Sequence, residues 1–251
     1  MDMRFAGQVA VIAGGADGLG KGIAKRIASE GGRIVLLDID HAGLEKTVAE
    51  FRSEGYEAEG YQVDVADEQS VERAFKAAEA SCGKIDVVVN SAGIVGPTNT
   101  KITDYSTAAF DQIYGVNLRG TFLVCKYAVM SMEKRNYGRV LLIASIAGKE
   151  GNPLMVGYSA MKAGVIGIVK GIGKEYAGTG ITVNGLAPAV IRTAMNDNTS
   201  PEQMDYMTSK IPMGRLGTID EVASIAAFIV SKEASFNTGF VFDISGGRAT
   251  Y

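Results

Sequence analysis

The chain has 251 residues, 47% of them hydrophobic and 21% charged, with a formal net charge of −3. That balance suits a single α/β domain (1–251) with a sizeable core, and together with the absence of any Lys/Arg run it argues against a nucleic-acid partner. No apolar stretch is long enough to span a bilayer and Met1-Asp-Met-Arg-Phe5 lacks an apolar signal core, so no membrane partner and a cytoplasmic location are expected.

In chain order, Val9-Ala-Val-Ile-Ala13 reads as a buried strand, followed at once by Gly14-Gly-Ala-Asp-Gly-Leu-Gly20 and an amphipathic helix over 21–30. Gly14 permits a tight turn, Gly18 close approach of backbone to a pyrophosphate, and Gly20 close helix packing, with the helix amino terminus facing the phosphates. A second strand, 33–38, ends in Asp38, about twenty residues past the glycines, where a carboxylate binds an adenosine ribose. Further strand-like runs at 57–64, 85–90, 139–145, 181–187 and 240–244 alternate with helical patterns. Such alternation predicts a parallel sheet covered on both faces. The only long irregular insert is 189–216, read as a substrate lid, with Met195, Met204, Met207 and Met213 as packing residues within it.

Ser145 ends Val140-Leu-Leu-Ile-Ala-Ser145, at the carboxyl end of a strand, where open α/β sheets bind ligands. Thirteen residues on stands Tyr158-x-x-x-Lys162. One helical turn separates the two, so a helix over 156–176 puts both side chains on one face. A free phenol, with a pKa near 10, is a poor base at neutral pH, and a nearby cation lowers that value. Tyr158 is therefore a candidate base, Ser145 holds a substrate oxygen, and Lys162 tunes the phenol. A tyrosine base acting on a hydroxyl points to hydride transfer.

His41 is the only histidine and lies just after the second strand, so Ser145 has no histidine base and hydrolase triads and catalytic zinc sites fall together. Cys82 and Cys125 stand far apart and indicate neither a disulfide nor a metal site.

On these motifs the chain resembles the short-chain dehydrogenase/reductase family from Gly7 to Gly247. The likeness includes Asp64 after the third strand, Asn90-Ser-Ala-Gly93 after the fourth, Asn117 in the following helix and Pro188-Ala-Val-Ile-Arg-Thr193 after the sixth. It implies a Rossmann-type, doubly wound parallel sheet of seven strands with helices on both faces, and a homotetramer. It implies catalytic Asn117, Ser145, Tyr158 and Lys162, with Asn117 helping to hold a water beside the lysine. The cofactor is implied to be NAD, held by Gly14, Asp17, Gly18, Leu19, Gly20, Asp38, Asp64, Val65, Asn90, Ala92, Gly93, Tyr158, Lys162, Pro188, Ile191 and Thr193. Asp17 and Asp38 both repel the extra phosphate of NADP; Asp64 either caps the next helix or lies near the adenine, or both. The chain departs from the family at Ala13, Ser91 and Ala189, where Thr, Asn and Gly are usual.

The substrate is expected to be a small polar molecule contacted by Ser145, Lys149, Asn152, Tyr158 and Arg192. The segments Ala147-Gly-Lys-Glu-Gly-Asn-Pro153 and Phe242-Asp-Ile-Ser-Gly-Gly-Arg-Ala-Thr-Tyr251 resemble bacterial dehydrogenases of 2-keto-3-deoxy sugar acids of the rhamnonate and fuconate pathways. A 3-oxoacyl carrier-protein reductase and a non-catalytic NAD-binding protein are the alternatives. The tail, through Arg248 or Tyr251, is expected to border the cleft of a neighbouring subunit.

Overall fold

The computed structural model describes residues 3–193 and 201–249. Seven parallel strands form one sheet in the order β3-β2-β1-β4-β5-β6-β7: β1 Val9–Ala13, β2 Arg33–Asp38, β3 Ala58–Gln62, β4 Val87–Asn90, β5 Gly138–Ile143, β6 Ile181–Pro188 and β7 Val241–Ile244. Core on both faces of the sheet explains why every residue of the central strand β1 is apolar. In β1, Val9, Val11 and Ala13 enter the core on one face while Ala10 and Ile12 enter the core on the other.

Helices α1 (Gly18–Ser29), α2 (His41–Ser53) and α9 (Ile219–Ile229) cover the face holding Ile12, through Ile23, Phe51 and Val222 among others. Helices α3 (Glu68–Cys82), α5 (Gly120–Glu133) and α7 (Val156–Glu175) cover the opposite face, through Phe75, Val124 and Val165. Strand order reverses between β1 and β4, and a crevice opens there at the strands' carboxyl ends.

Several local expectations need correction. Helix α1 begins at Gly18 rather than 21, because Gly18 takes the left-handed φ of +58° and turns the chain into the helix. Asp64 does not cap α3: Asp67 does, accepting from Gln69 N–H at 3.0 Å, while Asp64 accepts from Ala66 N–H at 2.9 Å. The helix expected around Asn117 is broken into α4 (Thr107–Ile113), a wider π-helical turn Tyr114–Arg119 and α5. The insert 189–216 carries α8 (Pro201–Ser209), Met213 is 70% exposed rather than packed, and Met195 lies outside the described residues. It is also not the only long connection, since 91–106 runs between β4 and α4 with just a short 3₁₀ turn at Ile102–Asp104. A four-residue helix, α6 (Ala147–Glu150), follows Ser145.

Candidate active site

The glycine loop after β1 is pinned from two sides. Gly14 and Gly15 donate to the Leu37 carbonyl at 2.8 and 3.1 Å, and Asp38 accepts from Ala16 N–H at 2.9 Å and Asp40 N–H at 3.1 Å. Gly14, at φ +74°, presses against the loop after β4: a Cβ there would lie 2.6 Å from Ala92 N. Gly20 packs its Cα under the Gly14 carbonyl, so neither position accepts a side chain. Around Gly18, by contrast, an added Cβ meets nothing within 4 Å. Asp17 is the N-cap residue of α1 but makes no side-chain capping bond, which leaves the first-turn amides of that helix for an anion. Leu19 packs partly buried behind the loop. Asp64 is exposed and Val65 buried at the end of β3, beside Gly120.

The loop after β4 is tied to the π-helical turn. Asn90, 2% exposed, accepts weakly from Ala92 N–H at 3.3 Å and donates to Thr121 Oγ1 at 2.8 Å; Thr121 in turn donates to the Asn117 carbonyl at 2.7 Å. The side chain of Asn117, fully buried, is spent on backbone: its Oδ1 accepts from Ile94 N–H and its Nδ2 donates to Ile94 O, both at 2.8 Å. Gly93 is thereby held over the lysine, since a Cβ on it would sit 3.3 Å from Asn117 Oδ1 and 3.6 Å from Lys162 Nζ.

Ser145, Tyr158 and Lys162 meet between β5 and α7. Lys162 is 5% exposed; its Nζ donates to Ile143 O at 2.8 Å and lies 5.7 Å from the centroid of the Tyr158 ring. Burial pulls this ammonium down to about 8. Burial pushes the Tyr158 phenol up, and the Ser145 hydroxyl, donating to the phenol oxygen, acts in the opposite direction. Ser145 Oγ also accepts from Ala147 N–H at 3.1 Å, which leaves its own proton to donate. The tuning expected of Lys162 is thus not what the chain supplies by itself. Burial dominates at the phenol, and the Ser145 hydroxyl is the group that acts against it.

Beyond β6, Pro188 accepts from Ile146 N–H at 3.0 Å, buried Ile191 forms a parallel bridge with Gly217, and Thr193 is half-buried. Arg192 is exposed, its backbone N–H donating to Gly217 O. Of the residues expected at a substrate, Asn152 borders an open cleft of about 550 Å³ lined mainly by 100–103 and 151–154. Val156 and Ser159, on either side of Tyr158 in the sequence of α7, line that cleft, and Ser145 and Tyr158 do not. Lys149 is turned elsewhere: its Nζ donates to Asp243 Oδ2 at 2.8 Å.

Reading the sequence missed the cleft wall 100–103, with the cation Lys101, and Leu154, which adopts the left-handed φ of +63° and accepts from Thr100 N–H at 3.0 Å. The one available signal was the sixteen-residue distance from β4 to α4. Arg248 bonds Glu150 and Asn152 of its own chain. Tyr251 lies outside the described residues.

Residues 14–249 match the model of a protein family described as enoyl-(acyl carrier protein) reductase. Over 248 residues the chain is 44% identical to 2-dehydro-3-deoxy-L-rhamnonate dehydrogenase (NAD(+)) of Sphingomonas sp. (strain SKA58), with 99% of this chain and 98% of that one covered. It is 35% identical to a 3-oxoacyl-(acyl-carrier-protein) reductase of Thermotoga maritima, covering 98% and 99% of the two chains. Among solved structures, NAD+-bound xylitol dehydrogenase superposes with a TM-score of 0.92 at 31% identity, covering 97% of this chain and 99% of that one.

Proposed function

The chain belongs to the short-chain dehydrogenase/reductase family, and from that premise we propose that it oxidises a secondary hydroxyl of a 2-keto-3-deoxy sugar acid with NAD. The observation that carries the reaction type is the meeting of Ser145, Tyr158 and Lys162 at the carboxyl end of β5. Tyr158 takes the hydroxyl proton, Ser145 orients the substrate oxygen and shares the phenol's charge, and Lys162 supplies the nearest cation. Asn117 acts on this reading as a positioning residue, holding Ile94 and, through it, the loop that carries Gly93.

The uncapped amides of α1 and the open space at Gly18 fit a dinucleotide pyrophosphate. Bound NAD supplies the hydride acceptor. Gly14, Asp17, Gly18, Leu19 and Gly20 would hold its phosphates, Asp38 its adenosine ribose, and Asp64 and Val65 its adenine side. Asn90, Ala92, Gly93, Tyr158 and Lys162 would hold the nicotinamide ribose, with Pro188, Ile191 and Thr193 at the ring. The NAD(+) in the name of the 44% identical relative supports the cofactor, as does Asp38 at the ribose position. The same relative supports the substrate class, and Arg192 is kept as the cation for its carboxylate, since Asp243 holds Lys149.

We further propose a homotetramer working in the cytoplasm. Large apolar side chains left outside, Phe122 and Met130 on α5 and Phe240 before β7, support assembly, and two unbridged cysteines suit a reducing compartment. Among the described residues no helix is long and apolar enough to cross a membrane.

The second reading, a 3-oxoacyl carrier-protein reductase, has relatives at 35% and 34% identity in its favour. NAD reduction measured against 2-keto-3-deoxy sugar acids, neutral sugars, polyols and 3-hydroxyacyl thioesters separates the two. Turnover confined to the thioesters, or preference for NADP, would overturn the sugar-acid reading.

A further inference from the structure

Helix α6 leaves the Ser145 end of β5 and is captured by the end of the chain through two ion pairs of opposite sense. Lys149 Nζ donates to Asp243 Oδ2 at 2.8 Å, and the next residue, Glu150, receives Arg248, with Nε to Oε2 at 2.9 Å and Nη2 to the same oxygen at 2.8 Å. The same Nη2 donates to Asn152 Oδ1 at 3.0 Å. The Arg248 side chain is only 10% exposed, so its rotamer freedom has been given up to make these contacts. Asp243 Oδ1 is buried with no partner among the described residues, which marks the pairing as better suited to fixing position than to stabilising the fold.

The tail that carries Arg248 is itself fixed. Gly246 and Gly247 take left-handed φ of +60° and +88°, Ala249 N–H donates to Ser245 Oγ at 3.1 Å, and Met213 N–H donates to Gly246 O at 3.1 Å. The segment that Arg248 grips is the cleft wall: residues 151–154 line the cleft, and Asn152 N–H donates to Ser159 Oγ, one residue past Tyr158, at 2.9 Å.

We infer that Arg248 is a positioning residue for substrate recognition: its guanidinium spans Glu150 and Asn152 and sets the wall formed by 151–154. The hook at Ser245 to Ala249 links that wall to the segment around Met213. This inference rests on the reading that the cleft beside Tyr158 receives the substrate. A guanidinium is required because the planar fork serves two acceptors at once, whereas a lysine ammonium on a flexible stem serves one of them well.

The test uses the full chain with R248A, R248K and E150Q. R248A should raise KM for the preferred substrate tenfold or more while kcat changes less than threefold and NADH binding, followed by fluorescence, stays within twofold. R248K should fall between R248A and wild type, and E150Q should follow R248A in direction, keeping side-chain size while removing the charge. Amide hydrogen exchange over 150–155 should quicken in R248A, a readout that needs no substrate and so stays decisive if the sugar-acid reading fails. Unchanged KM with unchanged exchange over 150–155 overturns the inference. Loss of NADH affinity in step with the rise in KM also overturns it, since Arg248 would then hold up the fold as a whole.

Discussion

Replacing Lys162 by methionine keeps an unbranched side chain in the crevice and removes its charge. Burial holds this group at about 8 against its ordinary 10.5. Below pH 8 the folded and unfolded chains both carry the proton, and folding bears the full cost of burying the ammonium. Above 10.5 neither carries it and the cost is gone. Between those limits the unfolded chain binds more protons, so the contribution of Lys162 to stability rises with pH. The displacement is worth roughly 3 kcal/mol. For a chain of this size that is a change on the order of 10 °C in Tm. Other buried groups work the opposite way, because Cys82 is pushed up to about 11, Cys125 up to about 12, and the Tyr158 phenol upward as well. The quantity to measure is therefore the stability difference between wild type and K162M, by thermal unfolding at fixed protein concentration from pH 7.5 to 10.5. Loss of the bond to Ile143 O adds a constant offset. The difference should shift in favour of wild type by about 3 kcal/mol across that range. Parallel curves, differing by a constant at every pH, would refute the buried-ammonium argument.

D38N tests cofactor choice with the bond from Ala16 N–H kept, since an amide oxygen can still accept it, at the loss of the acceptor for Asp40 N–H. A carboxylate about 4 Å from a phosphate at an effective dielectric near 20 feels roughly 4 kcal/mol, and solvent screening of a half-exposed group reduces it. The preference for NAD over NADP in kcat/KM should fall on the order of 10- to 100-fold, and an unmoved ratio would leave Asp38 as a loop anchor alone. Y158F should lower kcat by ~100- to 10,000-fold while NADH fluorescence titration stays near wild type. Half the wild-type rate in that variant would mean the proton leaves by another route.

The features legible in the sequence share a physical origin: they follow from local periodicity and from the carboxyl-end rule of parallel sheets. Strand ends at Ala13, Asp38 and Asn90 were readable because buried strands are apolar runs ended by turn residues. Tyr158 and Lys162 were readable because one helical turn decides their common face. What stayed hidden depends on pairings across long stretches of chain. Lys149 meets Asp243 across 94 residues and Arg248 meets Glu150 across 98, and nothing near either partner announces the other. Leu154 gave no signal because it takes a left-handed φ without being a glycine or an asparagine. The direction of the Tyr158 shift was misjudged because spacing reveals a cation one turn away and says nothing of how much water remains around the phenol.

The position of Asn117 carries the same distinction one step further. A polar residue in an apolar helix suggests a group aimed at the reaction, yet both ends of its amide are committed to Ile94. Within the π-helical turn the Asn117 carbonyl accepts from the Thr121 hydroxyl, which also accepts from Asn90. One hydroxyl thus joins the end of β4 to the turn before α5, and the loop between them, with Gly93, is held at both ends over Lys162. A Cβ on Gly93 would stand tight against the Asn117 amide at 3.3 Å and in contact with the lysine Nζ at 3.6 Å, so the backbone there lies close over both. The lysine is consequently enclosed by backbone on two sides, Ile143 O below and the 90–94 loop above, and that enclosure is what strips it of water and depresses its proton affinity. The residues that set the chemistry of Lys162 are thus those that fix the two loops around it, and most of them touch neither substrate nor proton.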